Sequence, residues 1–119
     1  MGIWGSFTAR ADERPGAPAL VWHGEDTSYG ELREVAEVER RRVDALGLAP
    51  GEPVGLVAKK SPAAVALVLG CLAAGRRFLL PSPTLGDDLL RELFATAGCR
   101  HVLAPEGGDA TGAIAALGA

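Results

Sequence analysis

The sequence has no long apolar run, no excess of positive charge and only two cysteines, and each shortage excludes a class of protein. Its longest apolar stretch, residues 62–75, is shorter than the roughly 20 residues that cross a bilayer, so we interpret it as a core helix and expect no membrane partner. The 12 basic and 15 acidic residues give a net charge of −3, which leaves no broad positive field for a phosphate backbone. We therefore expect no nucleic-acid partner.

The two cysteines, Cys71 and Cys99, lie far apart in sequence and in apolar or mixed surroundings. A secreted domain of this size normally carries more disulfides, so we expect two reduced packing residues in a cytoplasmic protein. Residues 1–7 lack the basic start and the apolar run of a signal peptide. Since 119 residues, 48% of them hydrophobic, suffice for one core, we expect a single domain over residues 1–119.

No histidine or serine of the sequence lies in a pattern typical of catalysis or metal binding. His23 and His101 are far apart and have no Cys, Asp or Glu at metal-ligand spacing. Four serines lack the context of a nucleophile elbow: Ser6, Ser28, Ser61 and Ser82. The sequence therefore predicts no catalytic, cofactor-binding or metal-binding residue.

Residues 55–61 end in Lys-Ser at a predicted strand-to-helix turn, which superficially resembles a nucleotide phosphate loop. A phosphate loop needs a glycine just before the lysine, so that backbone N–H groups can surround the anion. Here Ala58 and Lys59 stand at that point, and Pro62 removes a donor. We interpret Lys59 and Lys60 as a solvated strand end.

The first third of the chain predicts a helix, a β-hairpin and the start of a second helix. Apolar residues from Ile3 to Ala11 recur at helical spacing before the breaker pair Pro15-Gly16, so a short amphipathic helix is expected there. Two β-prone runs, residues 19–22 and 27–29, flank turn-forming residues 23–26 and predict a hairpin.

Ser28 precedes Glu31 by three residues, which is the spacing of a helix-starting capping box. The apolar residues that follow fall largely on one helical face: Leu32, Val35, Ala36, Val43 and Leu46. The mixed charges of residues 37–42 are typical of a solvated helix face, although a docking surface is the alternative.

The remainder predicts strands that alternate with helices. Residues 54–58 form an apolar run typical of a parallel strand covered on both faces, and strands are also predicted at 78–80 and 101–104. Between them we expect an all-apolar helix at 62–74, started by Ser61-Pro62, and an amphipathic helix at 85–97. A weak helix is expected within 107–119. This order implies an α/β fold with a small parallel sheet, flanking helices and a preceding β-hairpin.

Several local strings also resemble one family. Residues 17–20 (Ala-Pro-Ala-Leu) and 27–32 (Thr-Ser-Tyr-Gly-Glu-Leu) are similar to the first core motif of the adenylate-forming superfamily of acyl-CoA synthetases, peptide-synthetase adenylation domains and luciferases. Residues 50–56 resemble its Pro-Gly-Asp-x-Val turn and strand. Residues 66–75, which end in Cys-Leu-Ala-Ala-Gly, resemble the Leu-Lys-Ala-Gly helix of the second core motif. The resemblance covers nearly the whole chain.

The resemblance implies the opening scaffold of an adenylate-forming ligase, truncated before the ATP phosphate-binding loop. In that family a Ser/Thr/Gly-rich loop with a lysine holds the ATP phosphates, and later motifs supply the acyl pocket, the ribose-binding aspartate and the catalytic lysine. None of these motifs occurs in the 119 residues. We therefore expect no catalysis by the chain alone and no bound cofactor.

Arg76 and Arg77 depart from the family pattern, which has small residues and an aromatic after the glycine. Because adjacent strand residues point to opposite faces, one arginine is expected to face inward. Burying an unpaired guanidinium is costly, so the sequence predicts either a carboxylate beside it or an open face.

The expected function is a non-catalytic adenylation-domain fragment that serves as a dimerisation, docking or scaffold element, with the family suggesting polyketide or nonribosomal peptide biosynthesis. The alternatives are one subunit of a split adenylate-forming ligase and a remnant or excised piece. The all-apolar helix at 62–74 suits a helix covered on several faces, so we expect an exposed apolar patch hidden by self-association or by a partner.

Overall fold

The computed structural model describes residues 2–82 and 84–105, and these residues form four α-helices and five short strands. The elements follow in the order α1 (Ile3–Glu13), β1 (Pro18–Trp22), β2 (Glu25–Ser28), α2 (Tyr29–Asp44), β3 (Val54–Leu56), α3 (Pro62–Ala73), β4 (Phe78–Leu79), α4 (Asp87–Ala97) and β5 (Val102–Leu103). The predicted α/β fold, with a small parallel sheet and a preceding hairpin, is confirmed. The predicted helix within 107–119 lies outside the described residues.

The parallel sheet has β3 at its centre, between β4 and β5. Gly55 of β3 pairs with Leu79 on one side and with Val102 on the other. All three residues of β3 are buried, as the continuous apolar run predicts for a strand covered on both faces. Its hydrogen-bonded strand is shorter than the predicted 54–58, because residues 57–61 form the connection to α3.

Two close approaches in the core require glycine. A Cβ built on Gly55 would lie 2.7 Å from ring carbons of Phe94, so the aromatic ring of α4 packs directly on the backbone of β3. A Cβ on Gly70 of α3 would lie 2.6 Å from Cβ of Glu39, so α2 and α3 are in close backbone contact at this point. Both distances are shorter than a real Cβ makes, so glycine is needed for α4 to pack on β3 at Gly55 and for α2 to pack on α3 at Gly70.

The hairpin turn is shorter than predicted. Glu25 and Asp26 were expected in the turn, but they pair with Trp22 and Val21 in the β1–β2 ladder. Only His23 (φ 51°) and Gly24 (φ 81°) remain in the turn, and both are left-handed. Such two-residue turns match the right-handed twist of the flanking strands, which favours the shorter connection.

The capping box at the start of α2 is confirmed. The Ser28 hydroxyl accepts a hydrogen bond from the Glu31 amide at 3.1 Å, and the Glu31 carboxylate accepts one from the Ser28 amide at 3.1 Å. Glu31 carries a lowered pKa, because its carboxylate accepts that backbone hydrogen bond. The predicted start of the helix therefore rests on local chemistry that the sequence displays.

The core face of α2 was predicted in part. Leu32, Ala36 and Val43 are buried as expected, but Val35 is 47% exposed and Glu39 is buried instead. Two hydrogen bonds from Nη1 of Arg42, at 2.7 and 2.9 Å, satisfy the Glu39 carboxylate. The Nη2 atom of Arg42 also donates to the carbonyl of Ala104, just beyond β5. A buried carboxylate is tolerated here because its charge is paired.

Candidate docking groove

An open apolar groove of about 520 Å³ lies at the carboxyl edge of the parallel sheet. One side is formed by residues 58–61 after β3 and another by residues 80–82 after β4, while Ile3 of α1 closes one end. The floor consists of α3 side chains: Ala64, Val65, Val68, Leu69 and Leu72. The groove is the place where the apolar surface predicted for this helix remains uncovered.

The groove is open because the elements packed on α3 leave part of its surface exposed. Leu67 and Cys71 pack into a cluster with β3 residues, and Ala66 and Leu69 pack into a second cluster with α2. Val65, Val68 and Leu72 lie at the margins of these clusters, are half-buried, and present the rest of their apolar surface to the groove. At the rim, the side chains of Ile3 (67% exposed) and Leu80 (40% exposed) extend this apolar surface into solvent.

A second hollow of about 270 Å³ continues the groove towards the hairpin. The two spaces share Lys60, Ser61 and Val65, and the second is completed by Leu20, Val21, Trp22 and Pro62. Val21 is 68% exposed. The apolar surface thus runs from α1 across the start of α3 to β1.

Lys59 and Lys60 place positive charge at the rim. Both are exposed, and neither forms an ion pair with any residue between 2 and 105 that the structure describes. The Ser61 hydroxyl accepts a hydrogen bond from the Ala64 amide at 3.1 Å and caps α3, and Pro62 occupies the first turn. The Ser61 hydroxyl and the Ala64 amide therefore serve the helix cap. Lys59 and Lys60 are solvated as predicted, but they lie in the connection after β3, which ends at Leu56.

Arg76 and Arg77 lie at the opposite, amino edge of the sheet, and the expectation that one faces inward is wrong. Both precede β4 and donate to backbone carbonyls of the loop before β3. Arg76 donates to Ala49 at 2.9 Å and to Leu48 at 3.1 Å, and Arg77 donates to Gly51. Backbone carbonyls thus bind the two guanidinium groups in place of the predicted carboxylate, and Arg77 is exposed, which fits the predicted alternative of an open face.

The same loop carries Glu52, whose carboxylate forms a two-point ion pair with Arg100 at 2.6 and 2.7 Å. The hydrogen bond from Arg100 lowers the pKa of Glu52 to about 2. Glu52 precedes β3 and Arg100 precedes β5, so the pair joins the starts of two neighbouring strands. This edge of the sheet is thus closed by arginine contacts, in contrast to the open carboxyl edge.

The remaining candidate residues have structural surroundings. His23 packs against Trp22 with ring centroids 4.4 Å apart, and the Ser82 hydroxyl is hydrogen-bonded to Thr84 at 2.8 Å. Cys71 and Cys99 are free and buried, which confirms them as packing residues, and burial raises the pKa of the Cys71 thiol to about 12. Over the described stretches 2–82 and 84–105, no cluster of three metal-ligating side chains occurs, and no helix is long and apolar enough to span a membrane.

The fold and the motifs match one enzyme family over almost the entire chain. Residues 7–118 match the family model of the AMP-binding enzymes. The chain belongs to the AMP-binding enzyme family. The resemblance drawn from residues 17–32, 50–56 and 66–75 is therefore confirmed.

Relatives of this AMP-binding family chain include peptide synthetases. It is 34% identical to surfactin synthase subunit 3 of Bacillus subtilis (strain 168) over 97 residues, which are 82% of this chain and 8% of that protein. The nonribosomal peptide synthetase FmoA3 (S1046A) matches with 31% identity and a TM-score of 0.79 over 87% of this chain and 11% of that one. The N-terminal subdomain of Klebsiella oxytoca NpsA shares the fold, with 19% identity and a TM-score of 0.77 over 86% of this chain and 27% of that one.

The AMP-binding family chain spans only a small part of the length of these relatives. It matches less than a tenth of surfactin synthase subunit 3 and about a quarter of the NpsA N-terminal subdomain. The chain is a segment of an adenylation domain of the peptide-synthetase type.

Proposed function

We propose that this adenylation-domain segment acts as a non-catalytic scaffold that docks another polypeptide through the groove on α3. The observation that carries the proposal is the continuous apolar surface at the carboxyl edge of the sheet, with Ile3, Val21 and Leu80 exposed around it. Monomeric proteins rarely leave contiguous apolar surface of this kind open, and a surface rimmed by polar groups is typical of a protein contact. Lys59 and Lys60 supply such a rim.

Two observations support a non-catalytic role. In the described residues the titratable groups with shifted pKa values are accounted for by a helix cap, an ion pair at the amino edge and two buried thiols. None of these groups lines the groove. Catalytic groups usually cluster in a cleft with shifted pKa values, and this cleft holds apolar side chains, two solvated lysines and the serines Ser61 and Ser82.

The proposed occupant is a polypeptide that carries the rest of an adenylation fold. The chain reproduces about a quarter of the NpsA N-terminal subdomain, so a helix such as α3 has neighbours to gain from the remainder of such a fold. The likeness to surfactin synthase and to FmoA3 supports a place in nonribosomal peptide biosynthesis, and the free cysteines fit a cytoplasmic location.

Co-expression tests this docking role. The chain is produced together with the portion of surfactin synthase subunit 3 that follows the matched segment, and the complex is isolated through a tag on that portion. Leu80→Ser removes an apolar side chain from the rim. We expect it to weaken capture by at most about thirtyfold, since burying a whole leucine side chain contributes about 2 kcal/mol and Leu80 is already partly buried in the free chain. Leu89→Ser is the matched control, because Leu89 is similarly exposed (44%, against 40% for Leu80) but lies on α4 outside the groove.

Capture of the wild-type chain that Leu80→Ser weakens and Leu89→Ser leaves unchanged supports the groove as the docking surface. Equal capture of all three chains, or no capture of any, contradicts it. Binding of the wild-type chain to itself in place of the added portion would shift the proposed occupant to a second copy.

A second candidate function is one subunit of a split adenylate-forming ligase. The position of the groove favours it, because ligands of open parallel α/β sheets bind beyond the carboxyl ends of the strands. Substrate-dependent pyrophosphate release separates the two candidates. Release that needs both polypeptides in the mixture supports the split ligase, and a complex without release supports the scaffold.

A further inference from the structure

Helix α2 exposes a second apolar surface, separate from the groove. Val35 and Val38 are each 47% exposed and lie one turn apart near the middle of the helix. Neither valine lines the groove or the hollow beside it. Single exposed apolar residues are common, but two at this spacing form a short stripe of the kind that packs against another helix.

Charged residues of opposite sign flank this stripe. Glu34 lies towards the start of α2 and Arg41 towards its end, and both are exposed. Neither forms an ion pair with another residue among those the structure describes, whereas the neighbouring Arg40 pairs with Glu37 and Asp44. Glu34 and Arg41 are therefore a free negative and a free positive charge at the two ends of one apolar stripe.

The spacing of these four residues is self-complementary. When Val35 and Val38 are placed at positions a and d of a heptad, Glu34 and Arg41 become successive g positions. In an antiparallel helix pair, g positions face g positions, so Glu34 of one chain meets Arg41 of the other, and the two-fold axis repeats the contact. In a parallel pair, g faces e, and the e positions of α2 are taken by Leu32 and Glu39, which are buried in the chain's own core.

We propose that the chain self-associates through this face of α2, with a second copy packed antiparallel across Val35 and Val38. The 16-residue helix spans about 24 Å, so the contact is smaller than a standard protein interface and the dimer is weak. The inference goes beyond the proposed docking of another polypeptide in the groove. It uses a different surface from the groove, so each can fail without the other.

Sedimentation equilibrium of the full chain at low salt tests the proposal. Glu34→Arg and Arg41→Glu each place like charges at both symmetric contacts, and we expect each to weaken self-association about tenfold. An equimolar mixture of the two variants should restore association to about the wild-type level, because one chain then carries two positive charges and the other two negative charges. Glu92→Arg, on the surface of α4, is the control and should leave association unchanged.

The mixture of Glu34→Arg and Arg41→Glu distinguishes charge repulsion from misfolding, since a variant that had lost its fold would not regain association by mixing. A wild-type chain that stays monomeric at high concentration would overturn the proposal. So would single variants that associate as well as the wild type, or a mixture no stronger than either variant alone. Self-association that Leu80→Ser abolishes while Glu34→Arg does not would place the dimer contact in the groove instead.

Discussion

Gly55 occupies the point in β3 where the Phe94 ring rests on the strand backbone. A Cβ there would lie 2.7 Å from ring carbons of Phe94 and 2.9 Å from Cγ2 of Val102, and both neighbours are fully buried. Because neither side chain has room to move, Gly55→Ala should lower the free energy of unfolding by about 1–3 kcal/mol, as overpacked cores do. Urea denaturation measures this loss.

Gly16→Ala is the matched control for that substitution. Gly16 is exposed, and a Cβ there would have no neighbour within 4 Å. We expect little change in its denaturation midpoint. Equal midpoints for the two variants would show that Phe94 does not pack on Gly55 as described.

The Glu52–Arg100 pair makes stability depend on pH. The pKa of Glu52 falls from 4.5 to about 2 in the folded chain, so between these values the unfolded chain binds more protons than the folded one. The stabilising contribution is therefore fully present above about pH 5 and is lost as the pH falls through the folded value. Glu52→Gln should show a shallower fall of melting temperature between about pH 5 and pH 2 than the wild type.

Glu92→Gln serves as the reference for this pH series, since Glu92 is exposed and has no ion-pair partner in the described part of the chain. Its curve should follow that of the wild type. If the Glu52→Gln curve runs parallel to both, the ion pair does not stabilise the folded state.

At the scale of the element, the capping box sets where α2 begins. The Ser28 hydroxyl and the Glu31 carboxylate each satisfy an amide that the first turn leaves free. Ser28→Ala should therefore cost about 1 kcal/mol of unfolding free energy, measured by urea denaturation.

Ser6→Ala makes the same change inside α1, where the exposed Ser6 hydroxyl has no hydrogen-bond partner among the described residues. We expect it to be neutral or slightly stabilising, since alanine is the better helix former. A Ser28→Ala variant as stable as Ser6→Ala would mean that the cap contributes nothing.

Elements could be predicted from sequence wherever their signals are local. The capping box and the Ser61-Pro62 pair mark the starts of α2 and α3, and the apolar run of β3 predicts a doubly covered strand. The positions of Val35 and Glu39 could not be predicted, because periodicity places apolar residues inside. Glu39 is buried by two contacts from distant parts of the chain, the approach of Gly70 and the arginine that reaches Ala104.

For the whole molecule, an uncovered apolar surface could be predicted, but not its residues. The all-apolar composition of α3 indicates that it needs neighbours on several sides, while the open side depends on where α1 and β4 lie. Ile3 and Leu80 are far apart in sequence and meet only at the rim of the groove. The carbonyl partners of Arg76 and Arg77 are likewise set by the fold, since they lie in the loop before β3.

The scaffold role predicts that the chain does not bind ATP on its own. Calorimetric titration of the purified chain with Mg-ATP, followed by an assay for pyrophosphate release with amino-acid or acyl substrates, measures this directly. We expect no saturable ATP binding and no substrate-dependent release by the chain alone. Tight, stoichiometric ATP binding accompanied by formation of an acyl-AMP would contradict the scaffold role.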